Sequence, residues 1–281
     1  MNAIINFQNQ LEEQFLNTVD ASNFSRLYMS HVDFFKENLL AGFQYYKFSE
    51  RTARAQNPLQ SFDDLTSYMA FYGLAHYQRM RHLLNMTQQQ SQFSLDNPVK
   101  ANIVDYGCGQ GIATLAFIDH LLESKHHIAE LDITLIEPSP IALRRAIYWI
   151  EKKAKAEDIK INITAHACTF DELAPDFLAK NAQGYPYIHF FSNILDMYHQ
   201  GKVSLYALSQ QIKQRVGQHF VFATSPDFYS GNIGFDKLHQ LLMPRKTYVN
   251  HVEDIKIDEF RSYYQNPQTR PVSMRAYAIK L

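Results

Sequence analysis

The sequence predicts an α/β fold: a parallel sheet finished by an antiparallel terminal strand and preceded by a helical region. Three observations carry that expectation. From about residue 96 onward, strand-like and helix-like stretches alternate at spacings that suit βαβ units. Glycines cluster where the first of these strands meets its helix, at Gly107, Gly109 and Gly111. Before that point β-branched runs are absent, and apolar residues recur at threes and fours.

Taken in order, the helical pattern runs from Ile4 to about Leu84, with Leu27, Met29, Val32, Phe35, Leu39, Leu40 and Phe43 on its first part. Asn57-Pro58 marks a turn. Ser61 then reads as an N-cap with Asp63 and Asp64 in the first helical turn, and the helix continues through Leu65, Tyr68, Met69, Tyr72, Ala75 and Met80. The glutamine-rich stretch from Gln88 to Gln92 reads as a linker. This divides the chain into an N-terminal helical lid or accessory region, 1–95, and a core, 96–281. In the core, strands are expected at Ala101–Tyr106, Ile133–Ile136, Ile159–Ala165, Tyr187–Phe191 and His219–Ala223. Helices are expected from Ile112 to Leu122, from Pro140 to about Lys153 with Ser139 as N-cap and proline at N1, and from Val203 to Val216. Lys246–Val252 and Met274–Lys280 read as two further strands, an antiparallel finish.

Composition excludes several classes. The 281 residues carry 27 Lys and Arg against 28 Asp and Glu. That balance removes the broad basic surface a nucleic-acid binder needs. Two cysteines, Cys108 and Cys168, are too few for a disulfide framework and suit a reducing compartment. The first residues show neither a basic start nor an apolar run like a signal peptide's, and no apolar stretch approaches membrane-spanning length. A cytoplasmic protein with no membrane partner is the expectation. No internal repeat is present.

The chemistry-bearing segment is Val104-Asp105-Tyr106-Gly107-Cys108-Gly109-Gln110-Gly111. Alternating glycines at a strand–helix junction let a ligand approach backbone that a Cβ would block, and the helix N-terminus offers free amides. The dinucleotide fingerprint G-x-G-x-x-G is not met, because Ile112 stands where the third glycine belongs. Asp105 ends the strand. Glu137 ends the next one, where a carboxylate can accept two ribose hydroxyls. Taken alone, Glu137 reads equally as a solvated loop carboxylate before Pro138.

This pattern, Asp105-x-Gly107-x-Gly109-x-Gly111 followed by Glu137, resembles the first two motifs of the class I S-adenosylmethionine-dependent methyltransferases, whose core is Rossmann-like. The resemblance covers residues 97–281 and implies S-adenosyl-L-methionine as cofactor. It places the glycine loop with Cys108 along the methionine part, Asp105 near the amino group and Glu137 on the ribose. The family's usual acid after the third strand is displaced or absent, and Cys168 and Thr169 are expected to line the adenine pocket instead. Ser192-Asn193-Ile194-Leu195 is similar to the family's fourth motif. It lacks the Asp/Asn-Pro-Pro-aromatic signature of amino-group methyltransferases acting on adenine, cytosine or glutamine. With the neutral charge, this speaks against DNA and for a small-molecule or protein acceptor, which the sequence does not identify.

The resemblance implies no obligatory catalytic acid, base or metal. Candidates around the acceptor are Tyr72, His76, Asn193, Tyr198 and His199. Tyr68, Tyr72 and His76 share one helix face at i, i+4 and i+8, which suits a pocket lid or a half-exposed face. Tyr198-His199 either flanks the acceptor or starts the next helix. Cys108 near a helix N-terminus has the position of a nucleophile, but a small residue within a cofactor loop is the simpler reading. His126-His127 has no further ligand at metal spacing, so no metal site is expected. Against the enzyme stands a second reading, a catalytically silent methyltransferase-like binding or scaffold protein. Oligomeric state is not legible from the sequence.

Overall fold

A computed structural model of the chain describes residues 12–53, 57–90, 95–174, 177–178, 184–201, 204–260 and 267–281. The start of the expected first helix, at Ile4, and Ser91-Gln92 of the expected linker lie outside the described residues. The sheet has seven strands. Strands β1 (Val99–Tyr106), β2 (Ile128–Ile136), β3 (Lys160–His166), β4 (Tyr187–Ser192) and β5 (His219–Pro226) pair in parallel. The last two, β6 (Lys246–Glu259) and β7 (Gln268–Lys280), are antiparallel to each other, and β7 is antiparallel to β5. The order across the sheet is β3-β2-β1-β4-β5-β7-β6. This is the α/β, Rossmann-like sheet with an antiparallel finish that the sequence predicts. Its strand order reverses beside β1, so a crevice opens at the carboxyl ends of β1 and β4.

The N-terminal part forms α1 (Phe24–Phe34), α2 (Tyr45–Arg51), α3 (Phe62–Tyr68) and α4 (Leu74–Gln89). Asn23 caps α1, and Ser61 caps α3 by accepting from the Asp64 amide. A single π-helical turn, Met69–Gly73, joins α3 to α4, so the two read as one long helix with a local widening. Gln88 and Gln89 belong to the last turn of α4 rather than to a linker. The core helices are α5 (Ile112–Glu123), α6 (Pro140–Ala156), α7 (Leu205–Gln214) and α8 (Tyr229–Leu242). Ser139 caps α6, with Pro140 at its first turn. Helix α8 has no counterpart in the sequence reading; its two glycines, Gly231 and Gly234, obscure the helical pattern.

Each face of the sheet carries its own hydrophobic cluster. One joins α1, α3, α4, α5 and α6 to the sheet: Leu27, Met80, Leu84, Phe117 and Trp149 pack in one body with Ile103, Leu131, Phe222 and Ala276. The N-terminal helices therefore share a core with the sheet. The other face buries Leu208 and Ile212 of α7 and Phe235, Leu238 and Leu242 of α8 against Val221 and Tyr277.

A buried hydrogen-bond chain ties β1 to β4 and β5. His219 Nε2 faces the Arg215 carbonyl at 3.0 Å, so it carries the proton, and its Nδ1 must accept from His189 Nε2 at 3.0 Å. His189 Nδ1 then accepts from the Tyr106 hydroxyl at 3.1 Å. Burial holds His189 neutral, which the chain requires. The last residue before the glycine loop is fixed by it.

Candidate functional site

The loop between β1 and α5 turns on three left-handed glycines, Gly107 (φ 63°), Gly109 (φ 53°) and Gly111 (φ 78°). Their surroundings assign each a different task. A Cβ on Gly107 would meet Ile194 Cδ1 at 2.9 Å, and one on Gly111 would meet Ala146 Cα of α6 at 3.3 Å. Both glycines allow close protein packing. A Cβ on Gly109 would meet nothing within 4 Å. Gly109 presents bare backbone to open space, which is what a bound ligand needs.

Glu137 leaves the end of β2 and turns back to this loop. Its Oε2 accepts from the Gly109 amide at 3.0 Å, and its Oε1 accepts from the Ser139 amide at 2.9 Å. Each carboxylate oxygen has a second lone pair, so two further donors can be received. Burial pushes its carboxyl up to about 7 despite those two amides, and the Asp105 charge adds to the rise. Asp105 is buried at the end of β1. Its Oδ2 accepts from the Thr114 hydroxyl at 2.8 Å and from the Thr114 amide at 3.3 Å, and its Oδ1 is enclosed with no hydrogen-bond partner. Burial raises this carboxyl to about 6.

Gly107, Gly109 and Glu137 border a cleft of about 90 Å³ with Gln110, Ser192 and Asn193 and, from beyond β4, Ile194 and Met197; Asp105 and Gly111 stand behind it and are not lining residues. Asn57, Pro58, Leu59 and Tyr68 of the N-terminal region close it. Asn193 takes a left-handed φ of 56°, a conformation that asparagine adopts more readily than other residues with a side chain. Its Nδ2 donates to Ser192 Oγ at 2.9 Å, while its Oδ1 is enclosed without a donor.

The cover is fastened to the same loop. Ser139 Oγ donates to the Leu59 carbonyl at 2.5 Å, and Gln110 Nε2 donates to the Leu65 carbonyl at 2.9 Å. Buried Arg145 of α6 gathers the rest: its guanidinium donates to Gln110 Oε1, Thr66 Oγ1 and Glu12 and lies over the Phe62 ring.

Of the other residues singled out from the sequence, only Tyr68 lines this cleft. It hydrogen-bonds His76 Nδ1 at 3.1 Å. Tyr72 lies one step out, with its hydroxyl 2.6 Å from that of Tyr45; the Tyr68, Tyr72 and His76 rings stand 5.3 to 6.2 Å apart. Burial holds His76 neutral down to about 3. Cys108 packs into the core, with its thiol pushed well up by burial, so it is no nucleophile. Thr169 is committed to a capping box with Glu172, and neither it nor Cys168 is a lining residue of the cleft. Tyr198 and His199 sit on a 3-10 turn, Leu195–Gln200; the His199 ring engages the Asp196 carbonyl at 2.6 Å. Gln110, Leu59 and Met197 were not foreseen as lining residues. For Gln110 the signal was available, since a long amide inside a glycine motif is out of place unless it bonds to something. Among the described residues no helix is long and apolar enough to cross a membrane, and no cluster of three His, Cys, Asp or Glu is placed to hold a metal.

A Rossmann-like sheet of this order, with a glycine loop and an acid at the ends of its first two strands, is the fold of the class I S-adenosylmethionine-dependent methyltransferases, which the sequence resembles. No family model and no curated protein matches the chain. Among solved structures it is similar to one assigned to that class from Listeria monocytogenes, at 14% identity over 90% of this chain and 73% of that one, with a TM-score of 0.41. A second is the geranyl diphosphate C-methyltransferase of Streptomyces coelicolor A3(2), at 13% identity over 72% and 71% of the two chains, TM-score 0.35. The METTL16 methyltransferase domain is a third, at 15% identity over 74% and 81%, TM-score 0.37.

Proposed function

We propose that the protein binds S-adenosyl-L-methionine in the Gly109–Glu137 cleft and transfers its methyl group to a small-molecule or protein acceptor. The observation that carries this reading is the junction of two distant motifs: the Glu137 carboxylate is locked to the Gly109 amide and keeps lone pairs facing the cleft. Those lone pairs suit the two ribose hydroxyls. The open side of Gly109 suits the cofactor's methionine portion, and the unpartnered Asp105 Oδ1 suits a cationic amine reached through the loop. When bound, the cofactor supplies a methyl already activated on a sulfonium. What remains for the protein is to hold an acceptor in line and to exclude water. The cover formed by Asn57–Leu59 and Tyr68 supports the second task, and the enclosed Asn193 Oδ1 is an acceptor awaiting a donor.

One observation favours the alternative of a silent binding or scaffold protein. A cleft of about 90 Å³ is below the 300 Å³ or so at which ligand pockets begin, so the cover must lift for a nucleoside to enter. Incubation with methyl-labelled S-adenosylmethionine and separate metabolite and protein pools tests the choice. Label transferred by the wild type and lost in Glu137→Ala supports the enzyme. Cofactor binding with no transfer to any pool supports the silent protein.

A further inference from the structure

Three arginines are buried among the described residues, and two of them are fully engaged. Arg145 bonds Glu12, Gln110 and Thr66, and Arg275 bonds Asp236, Asn250 and two carbonyls. The third, Arg79, is only 5% exposed, yet no hydrogen bond or ion pair among the described residues reaches it, and its Nε is wholly enclosed without an acceptor. A buried guanidinium left unpaired is costly, and native proteins keep such groups for a reason.

Its position supplies the reason. Arg79 stands on α4 within electrostatic reach of Tyr68, His76 and Asp196. Tyr68 lines the cleft, and Asp196 lies between the cleft residues Ile194 and Met197. Of the acids nearby, Glu259 is spent on Arg270, which it grips through both oxygens at 2.5 and 2.8 Å. Asp196 is pushed toward its neutral form by burial. One buried guanidinium, hydrogen-bonded to none of these acids, therefore stands beside Asp196 and beside Tyr68, which lines the cleft. A single guanidinium matches a monoanion and presents a planar fork suited to a carboxylate. A phosphate dianion would call for a second free cation, and Arg270 is taken.

We propose that Arg79 is the recognition residue for a carboxylate carried by the methyl acceptor, so that the acceptor is a small carboxylic acid held between Arg79 and the cofactor methyl. This rests on the methyltransferase reading of the cleft, which a separate arm of the test checks. Sodium benzoate is the probe, with sodium chloride at matched ionic strength and sodium phosphate as comparisons, added to the wild type and to Arg79→Met with and without S-adenosylhomocysteine. Benzoate is expected to raise the wild-type melting temperature in a dose-dependent way beyond chloride and phosphate, and this rise is lost in Arg79→Met. Without benzoate, Arg79→Met should melt at or above the wild type, since an unpaired buried charge is gone; a partner in a structural ion pair would lower it. Equal protection of both proteins, no protection of the wild type, stronger protection by phosphate, or marked destabilisation of the unliganded variant each overturns the proposal. S-adenosylhomocysteine titrated into both proteins decides the cofactor reading separately: absence of binding would sink that reading, while the benzoate comparison still decides whether Arg79 holds an anion.

Discussion

In the proposed function, Glu137 holds the ribose through the lone pairs that its two backbone donors leave free. Ribose hydroxyls bonding a carboxylate contribute about 1.5–3 kcal/mol each. Replacing Glu137 by alanine should therefore weaken S-adenosylhomocysteine binding at least about tenfold, at 1.4 kcal/mol per decade. The carboxyl is raised to about 7 by burial, and hydroxyl donors favour its ionised form. Affinity should then tighten as pH rises from 6 to 8 and level off above, measured by calorimetry across that range, while Glu137→Gln shows no such rise. The glycines separate by task. Gly109→Ala puts its Cβ into the open cleft and should reduce cofactor affinity with little loss of stability beyond the cost of a left-handed alanine, about 1 kcal/mol. Gly111→Ala meets the α6 backbone and should lower the melting temperature further, so melting and titration of the two variants tell them apart. Gly107, Gly109, Gly111 and Glu137 were legible in the sequence because glycine alternation and a strand-end acid are local patterns. Tyr68 was legible as part of a polar-aromatic helix face; Leu59 and Met197 were not, because they meet the cleft only through packing between distant elements.

Helix α8 shows how an element escapes notice. Gly231 and Gly234 weaken its propensity, yet Gly234 lies against the 3-10 turn so closely that a Cβ would overlap the Leu195 carbonyl oxygen. The glycine that hides the helix is the one that lets it dock beneath the turn bearing Asp196 and Met197. Gly234→Ala should cost about 1–3 kcal/mol or more by overpacking, read from denaturant unfolding, despite alanine's better helix propensity. The π turn Met69–Gly73 was equally unreadable, since its residues keep a helical pattern. It falls between Tyr68 and His76, where such turns accompany functional sites. The cover it belongs to is held by Gln110 and Ser139. Gln110→Ala removes the donor that ties the Leu65 carbonyl to the glycine loop, leaving it only the Met69 amide, and strips one Arg145 donor of its acceptor, so amide exchange in residues 61–68 should quicken relative to α5.

In the molecule as a whole, the β–α alternation and the antiparallel finish were readable because period-2 and period-3.6 patterns survive in the sequence. The seat of the N-terminal helices was not, since nothing local says which face of a sheet a helix covers. They cover the face that carries α5 and α6, and their far end closes the carboxyl ends of β1 and β4. The proposed cofactor cleft is roofed by those helices and floored by Gly109 and Glu137. Calorimetric titration of S-adenosylhomocysteine into the wild type and Glu137→Ala, with both shown folded by circular dichroism, tests it most directly. Saturable one-site binding to the wild type and at least about tenfold weaker binding to the variant are expected. No heat from the folded wild type, or equal affinity in the two proteins, would contradict the proposed cofactor site.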